Sequence, residues 1–185
     1  DTVDATGPDP QVLAIGPLLN SEAPVLVTAL YVGASVTAYP FRDRPESSFG
    51  SAFVVDGEIR GAIDLAIADF DGDGQHDLAS AAFRDGTIRW YQNRSTDKLR
   101  FSPGRPLGTD VPGAYVVRPA DVNGNGFQDL IAASRLQDRI VWFRNRNTGR
   151  SPVAQFDDAR LLADSLPGLE SIAVGDVDGN GRPDV

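Results

Sequence analysis

Three stretches of the chain share one pattern: Asp69-Phe-Asp-Gly-Asp-Gly-Gln-His-Asp77, Asp121-Val-Asn-Gly-Asn-Gly-Phe-Gln-Asp129 and Asp176-Val-Asp-Gly-Asn-Gly-Arg-Pro-Asp184. They recur at offsets of 52 and 55 residues. A motif repeated at such a period means a chain assembled from copies of one supersecondary unit, each burying its apolar faces against its neighbours.

Within each copy, oxygen-bearing side chains occupy positions 1, 3, 5 and 9: Asp69, Asp71, Asp73 and Asp77; Asp121, Asn123, Asn125 and Asp129; Asp176, Asp178, Asn180 and Asp184. The backbone carbonyl at position 7, from Gln75, Phe127 or Arg182, can add another oxygen. Glycines at positions 4 and 6 allow the sharp turns that let a short backbone wrap a hard cation such as calcium, so three Ca2+ sites are expected. An EF-hand would need a bidentate Glu at position 12, where this chain has Ser80 and Ala132, and a helix after the loop, where it has β-type apolar runs. Magnesium is disfavoured by ligand number and loop flexibility, and zinc by the absence of Cys and the single His. Loop 69–77, with four carboxylates, is expected to bind most tightly, and loop 121–129, with two, most weakly. Without a metal, the same residues would be Asx-rich hairpin turns.

The formal net charge of -9 is therefore largely ligand chemistry, which three divalent ions would mostly cancel. No basic stripe exists to neutralise phosphates, so no nucleic-acid partner is expected. No apolar run approaches the ~20 residues of a membrane span. The chain starts at Asp1 without Met, which suggests processing, and millimolar calcium outside cells would fill weak sites of this type. A secreted, extracellular location is expected. Asn93-Arg-Ser95 is a glycosylation sequon.

The repeat extends beyond the loops. Ile88, Trp90 and Asn93 recur as Ile140, Trp142 and Asn145, and Phe49, Phe101 and Phe156 form a further landmark. Short segments rich in Val, Ile and aromatics alternate with Gly, Asp and Asn turns, giving strands near 63–68, 78–83, 87–92 and 99–102 in the best-defined unit. Only 159–163 is ambiguous between strand and helix. Shifting the register back by 52 residues reaches Pro17-Leu-Leu-Asn-Ser-Glu-Ala-Pro-Val25, a degenerate first unit that keeps the strand pattern and lacks the ligands. Residues 1–185 thus form one repeat domain with units starting near 17, 69, 121 and 176, the last truncated. Four antiparallel strands per ~50 residues describe a blade of an all-β propeller. Three blades and a stub cannot close an ordinary ring. Either further blades lie outside this chain, the simpler account, or several chains complete the ring and associate through open edges.

No catalytic residue is expected. His76 is a lone loop histidine, and Asp110, Asp157, Asp158 and Asp164 are read as solvated loop charges. No nucleophile elbow or phosphate-cradling loop is present. Trp90 and Trp142 are expected in the core between blades, whereas Tyr91 and Phe143, on the alternate face, are candidates for stacking on a sugar ring. Arg84, Arg89, Arg135, Arg139, Arg144 and Arg146 either balance the acidic loops or help a rim bind anionic glycans.

These residues resemble the FG-GAP/VCBS repeats found in integrin alpha-chain propellers, in a fungal seven-bladed lectin and in many secreted bacterial and fungal proteins. The resemblance covers most of residues 63–185, and the Ile-x-Trp-Tyr/Phe-x-Asn strand is similar to the VCBS-type form. The full integrin-type Phe-Gly...Gly-Ala-Pro signature is absent. The resemblance implies structural calcium loops between strands of a blade, and a ring of about seven blades. The function expected is an extracellular, calcium-stabilised binding module for carbohydrate or protein. The alternative is a non-catalytic scaffold propeller attached to an enzyme domain absent from this chain.

Overall fold

A computed structural model of the chain describes residues 10–20, 23–42, 48–108 and 111–185. Ser21, Glu22 and Asp110, named above, lie outside the described residues. Every regular element among these is a β-strand, in three antiparallel sheets.

The second sheet is the clearest unit. It comprises β6 (Ala62–Ala68), β7 (Asp77–Ala82), β8 (Thr87–Tyr91) and β9 (Arg105–Pro106), paired in chain order. The third repeats it with β10 (Ala114–Ala120), β11 (Asp129–Ser134), β12 (Arg139–Phe143) and β13 (Arg160–Ala163). The register repeats too. Ala68 pairs with Asp77 as Ala120 does with Asp129, and Trp90 faces Ala79 as Trp142 faces Ile131. In the first sheet β1 (Pro10–Gly16), β2 (Val25–Leu30) and β3 (Ser35–Arg42) run in order, and two short strands, β4 (Ser48–Phe49) and β5 (Phe53–Asp56), share the outer edge of β3. The degenerate unit therefore makes a blade without metal ligands.

The middle strands of these blades have no solvent face. All six residues of β7 and of β11 are buried, because each middle strand is covered on both sides. One core, around Leu18, Val27, Ile59, Leu78 and Tyr91, lies between the first and second blades. Another, around Phe70, Trp90, Leu130 and Phe143, lies between the second and third. Beyond the third blade, Leu166, Leu169, Ile172 and Val174 pack on Val116, Ile131 and Ile140.

One strand expectation is corrected and one open segment is resolved. The fourth strand of the second blade is Arg105–Pro106, not 99–102; Phe101 makes only an isolated bridge to Asn93. The chain stays beside β8 there because Ser102 N donates to Gln92 O at 2.9 Å, then moves outward to pair at Trp90 and Arg89. The ambiguous 159–163 segment contains a strand, β13, without helix.

Candidate metal centres

Loops 69–77 and 121–129 are each the hairpin between the first and second strands of a blade, so both sit at the same end of their blades, and loop 176–184 repeats their closure without flanking strands. The closing pair recurs: Ala68–Asp77, Ala120–Asp129 and, as an isolated bridge, Gly175–Asp184. Both glycines of every loop have positive φ, between 72° and 88°, which only a residue without Cβ adopts cheaply. At Gly72 the demand is double, since a Cβ there would also collide with the Phe127 ring of the next loop.

The first aspartate organises the turn. Asp69 accepts hydrogen bonds from Gly72 N and Gly74 N at 2.7 and 2.9 Å, Asp121 from Gly124 N and Gly126 N at 2.8 and 2.7 Å, and Asp176 from Gly181 N at 2.8 Å. Position 5 caps the amide two residues on in every loop, as in Gln75 N to Asp73 at 2.8 Å and Arg182 N to Asn180 at 2.8 Å, and position 3 does so in the first and third loops, with Asp73 N to Asp71 at 3.2 Å and Asn180 N to Asp178 at 3.0 Å. These bonds leave carboxylates crowded on one side. Oxygens of Asp69, Asp71 and Asp73 lie within 4.8 Å of one another, and so do those of Asp176, Asp178 and Asp184. Oxygens across a calcium ion stand about 5 Å apart, twice the Ca–O distance, so both clusters fit a hard cation. In the first loop the Gln75 Oε1 is also buried without a hydrogen-bond partner.

Loop 121–129 differs. Asn123 Nδ2 donates to both oxygens of Asp129, at 3.1 and 2.9 Å, and Asn125 Nδ2 donates to Asn145 O at 2.9 Å. The Asn123 amide satisfies the loop's own Asp129 and the Asn125 amide a carbonyl after β12, and Asn123 would have to turn its Oδ1 inward to hold an ion.

The ninth residue faces the blade as well as the loop. Asp77 is fully buried and accepts from Asn93 N at 2.7 Å and Trp90 Nε1 at 3.1 Å. It stands outside the Asp69–Asp71–Asp73 cluster. Burial pushes its pKa up to about 8, helped by the Asp71 charge. Asp71 is itself raised, by burial and then by Asp73 and Asp69, against a hydrogen bond from Gln92. Asp129 is raised by burial. A divalent ion would reverse this cost, since it favours the charged carboxylate.

A set of side-chain amides stitches the loops to neighbouring blades. Asn145 Nδ2 donates to Gln128 O of its own loop at 3.0 Å and to Phe70 O of the preceding loop at 2.7 Å. Asn93 repeats this with His76 O at 2.7 Å and Leu18 O at 3.1 Å. The ligand-free first unit thus keeps the carbonyl anchor at position 2 of its vanished loop. Loop 69–77 gains two further ties to the third blade: Asn147 Nδ2 donates to Asp71 O at 2.6 Å, and Gln92 Nε2 reaches both Asp71 Oδ2 and Pro152 O at 2.6 Å. The recurrence of Asn93 and Asn145 at the repeat offset was a visible signal for the clamp. Gln92 had none, because its counterpart is Arg144.

Several expectations for side chains change. Tyr91 and Phe143 are both 0% exposed, so neither offers a face to a sugar. The face that alternation left open is covered by the preceding blade, Tyr91 in the core between the first and second blades and Phe143 in that between the second and third. Tyr91 instead donates to Asp56 at 3.0 Å and lies 3.2 Å from Ser80 Oγ, and burial raises its pKa far above the ordinary phenol value. Trp90 is in the core as expected, edge-on to Phe156 at 6.1 Å, whereas Trp142 is half-buried beneath Arg160. The sequon asparagine, Asn93, is 2% exposed with its amide engaged twice, so the folded protein presents no glycan acceptor there. Among the arginines, Arg89 pairs with Asp56 and Asp85 at 2.8 and 3.0 Å, and Arg146 with Asp157 at 2.7 Å.

The FG-GAP-like repeat family matches residues 69–132 and again 121–185, each match spanning two successive acidic loops. The chain belongs to that family. No curated protein matches it. Its three blade-like antiparallel sheets are part of a β-propeller, and each match begins at the first residue of an acidic loop.

Proposed function

We propose that this chain is a calcium-stabilised binding module that works outside the cell and recognises carbohydrate or protein. The observation that carries the reading is the pair of three-carboxylate clusters, Asp69–Asp71–Asp73 and Asp176–Asp178–Asp184, formed at equivalent places in a repeat whose turns spend two positive-φ glycines each on gathering them. All their donors are oxygen, which selects calcium over transition metals. Loop 69–77 would use Asp69, Asp71, Asp73 and the Gln75 carbonyl, with Asp77 completing the set. Loop 176–184 would use Asp176, Asp178, Asn180, Asp184 and the Arg182 carbonyl. Loop 121–129 would use Asp121, Asn123, Asn125, Asp129 and the Phe127 carbonyl, and would need the higher calcium found outside cells.

The ion's role is to neutralise the crowded carboxylates and fix the hairpin that carries the interblade amides. Recognition then falls to the loops and hairpins at the blade ends, which a rigid stack of sheets holds in place. The test combines metal analysis of the purified protein, thermal melts with calcium and with excess chelator, and a glycan array run in calcium. Bound calcium, a melt that falls on chelation and sugar binding abolished by free sugar would support it. A folded protein whose melt ignores verified metal removal would refute the calcium half.

A further inference from the structure

We propose that the ligand face is the end of the blades opposite the metal loops, and that it takes an acidic polysaccharide, with sugar carboxylates or sulfates seated on Arg84 and Arg135. The inference rests on the binding-module reading and supplies its ligand class.

The hairpins between second and third strands, at residues 31–34, 83–86 and 135–138, lie at that end, since β7 and β11 run from a metal loop to each of the last two. An unbroken row of rings crosses all three blades there. Tyr31 is 6.3 Å from Phe83, and Phe83 is 6.4 Å from Tyr115, all three half-buried. Arg84 lies over the Tyr31 ring at 4.5 Å and Arg135 over Tyr115 at 4.9 Å. Both arginines are exposed. A guanidinium laid flat on a ring is held in place while its N–H edge stays open to an anion. Arg84 makes no ion pair among the described residues, and Arg135 has only a long 3.5 Å contact with exposed Glu170, which a stronger anion would displace.

The platform is stiff. Phe83 N donates to Gly61 O at 2.8 Å, and Arg135 N to Gly113 O at 3.0 Å, the same bond in successive blades. Gly61 and Gly113 have positive φ, and a Cβ on either would strike Arg84 or Leu136. Close packing of this kind preorganises the row and lowers the ordering cost of binding. The partner's chemistry follows from the pattern. Sparse cations separated by rings suit a chain of pyranoses that carries charge at intervals. The carboxylate clusters are held at the other end, away from the incoming anion.

The test is calorimetric titration, in calcium, of the intact protein with three probes: tetragalacturonate, a neutral hexose tetramer and polyglutamate. Tetragalacturonate should bind in a salt-sensitive way, and Arg84→Ala or Arg135→Ala should each weaken it about tenfold, the loss of one charged hydrogen bond. Arg84→Gln serves as a second variant, and Arg150→Ala, exposed at the metal-loop end, should bind as the wild type does. Binding retained in the Arg84→Ala, Arg135→Ala double variant would overturn the proposal. So would binding of the neutral sugar or polyglutamate alone, which would leave the binding-module reading standing. Silence toward all three from protein with a wild-type melt would overturn both the face and the carbohydrate reading.

Discussion

Loops 69–77 and 121–129 share a backbone and differ in what fills it. The first gathers Asp69, Asp71 and Asp73 within 4.8 Å; the second replaces two of those carboxylates by Asn123 and Asn125, which hydrogen-bond to Asp129 and to the Asn145 carbonyl. The same turn is closed in one case by amides and in the other left with crowded like charges. Hairpin geometry is thus set by the glycines and the first aspartate. In these two loops the residues at positions 3 and 5 set whether like charges crowd the turn. The first unit extends the series: Leu18 offers its carbonyl to Asn93 from a segment that lacks the ligand pattern of the acidic loops.

The largest expected effect is metal removal. At a calcium concentration of about a hundred times Kd, one site adds roughly 2.7 kcal/mol, so chelation should lower the melt by about 5–10 °C for a chain of this size. Hydrogen exchange should show the loss concentrated in 69–77 and 176–184, and nearly absent in 121–129. Next comes Asn145→Ala, which strips a donor from the carbonyls of Phe70 and Gln128 in two loops and should destabilise by about 2–3 kcal/mol by denaturant melt. Gly72→Ala should cost about 1–3 kcal/mol, from the positive φ and the Phe127 ring. Gly124, with nothing near its Cβ direction, should show only the φ part.

A sharper probe converts one loop into the other. Asn123→Asp with Asn125→Asp should make 121–129 metal-dependent: weaker than wild type in chelator, and higher in calcium affinity by about tenfold or more, read by calorimetry. The smallest effect is expected from Gln92→Leu, which frees Asp71 Oδ2 and Pro152 O. It should lower calcium affinity of the first loop about threefold and leave the second unchanged.

Much of this arrangement was legible in the sequence, because the offset of 52 ties every blade to the same pattern. The loops, the three sheets and the ligand-free first blade follow from Asp69, Asp121 and Pro17 standing in register. What escaped was tertiary. Tyr91 and Phe143 read as half-exposed because strand alternation presumes one wet face, and the face that carries them packs on the preceding blade. The outer strand at Arg105–Pro106 escaped because Phe101, the repeating landmark, marks a bridge instead of the strand itself. The ring row escaped because Tyr31, Phe83 and Tyr115 do not share one repeat position.

The most direct measurement is a calorimetric calcium titration of the metal-free chain beside an Asp71→Asn, Asp73→Asn variant. Two tighter steps and one weak step are expected, with one of the tighter steps lost in the variant and the weak step retained. A titration that shows no calcium uptake at millimolar concentrations, or one identical in the two proteins, would contradict the assignment of these loops as calcium sites.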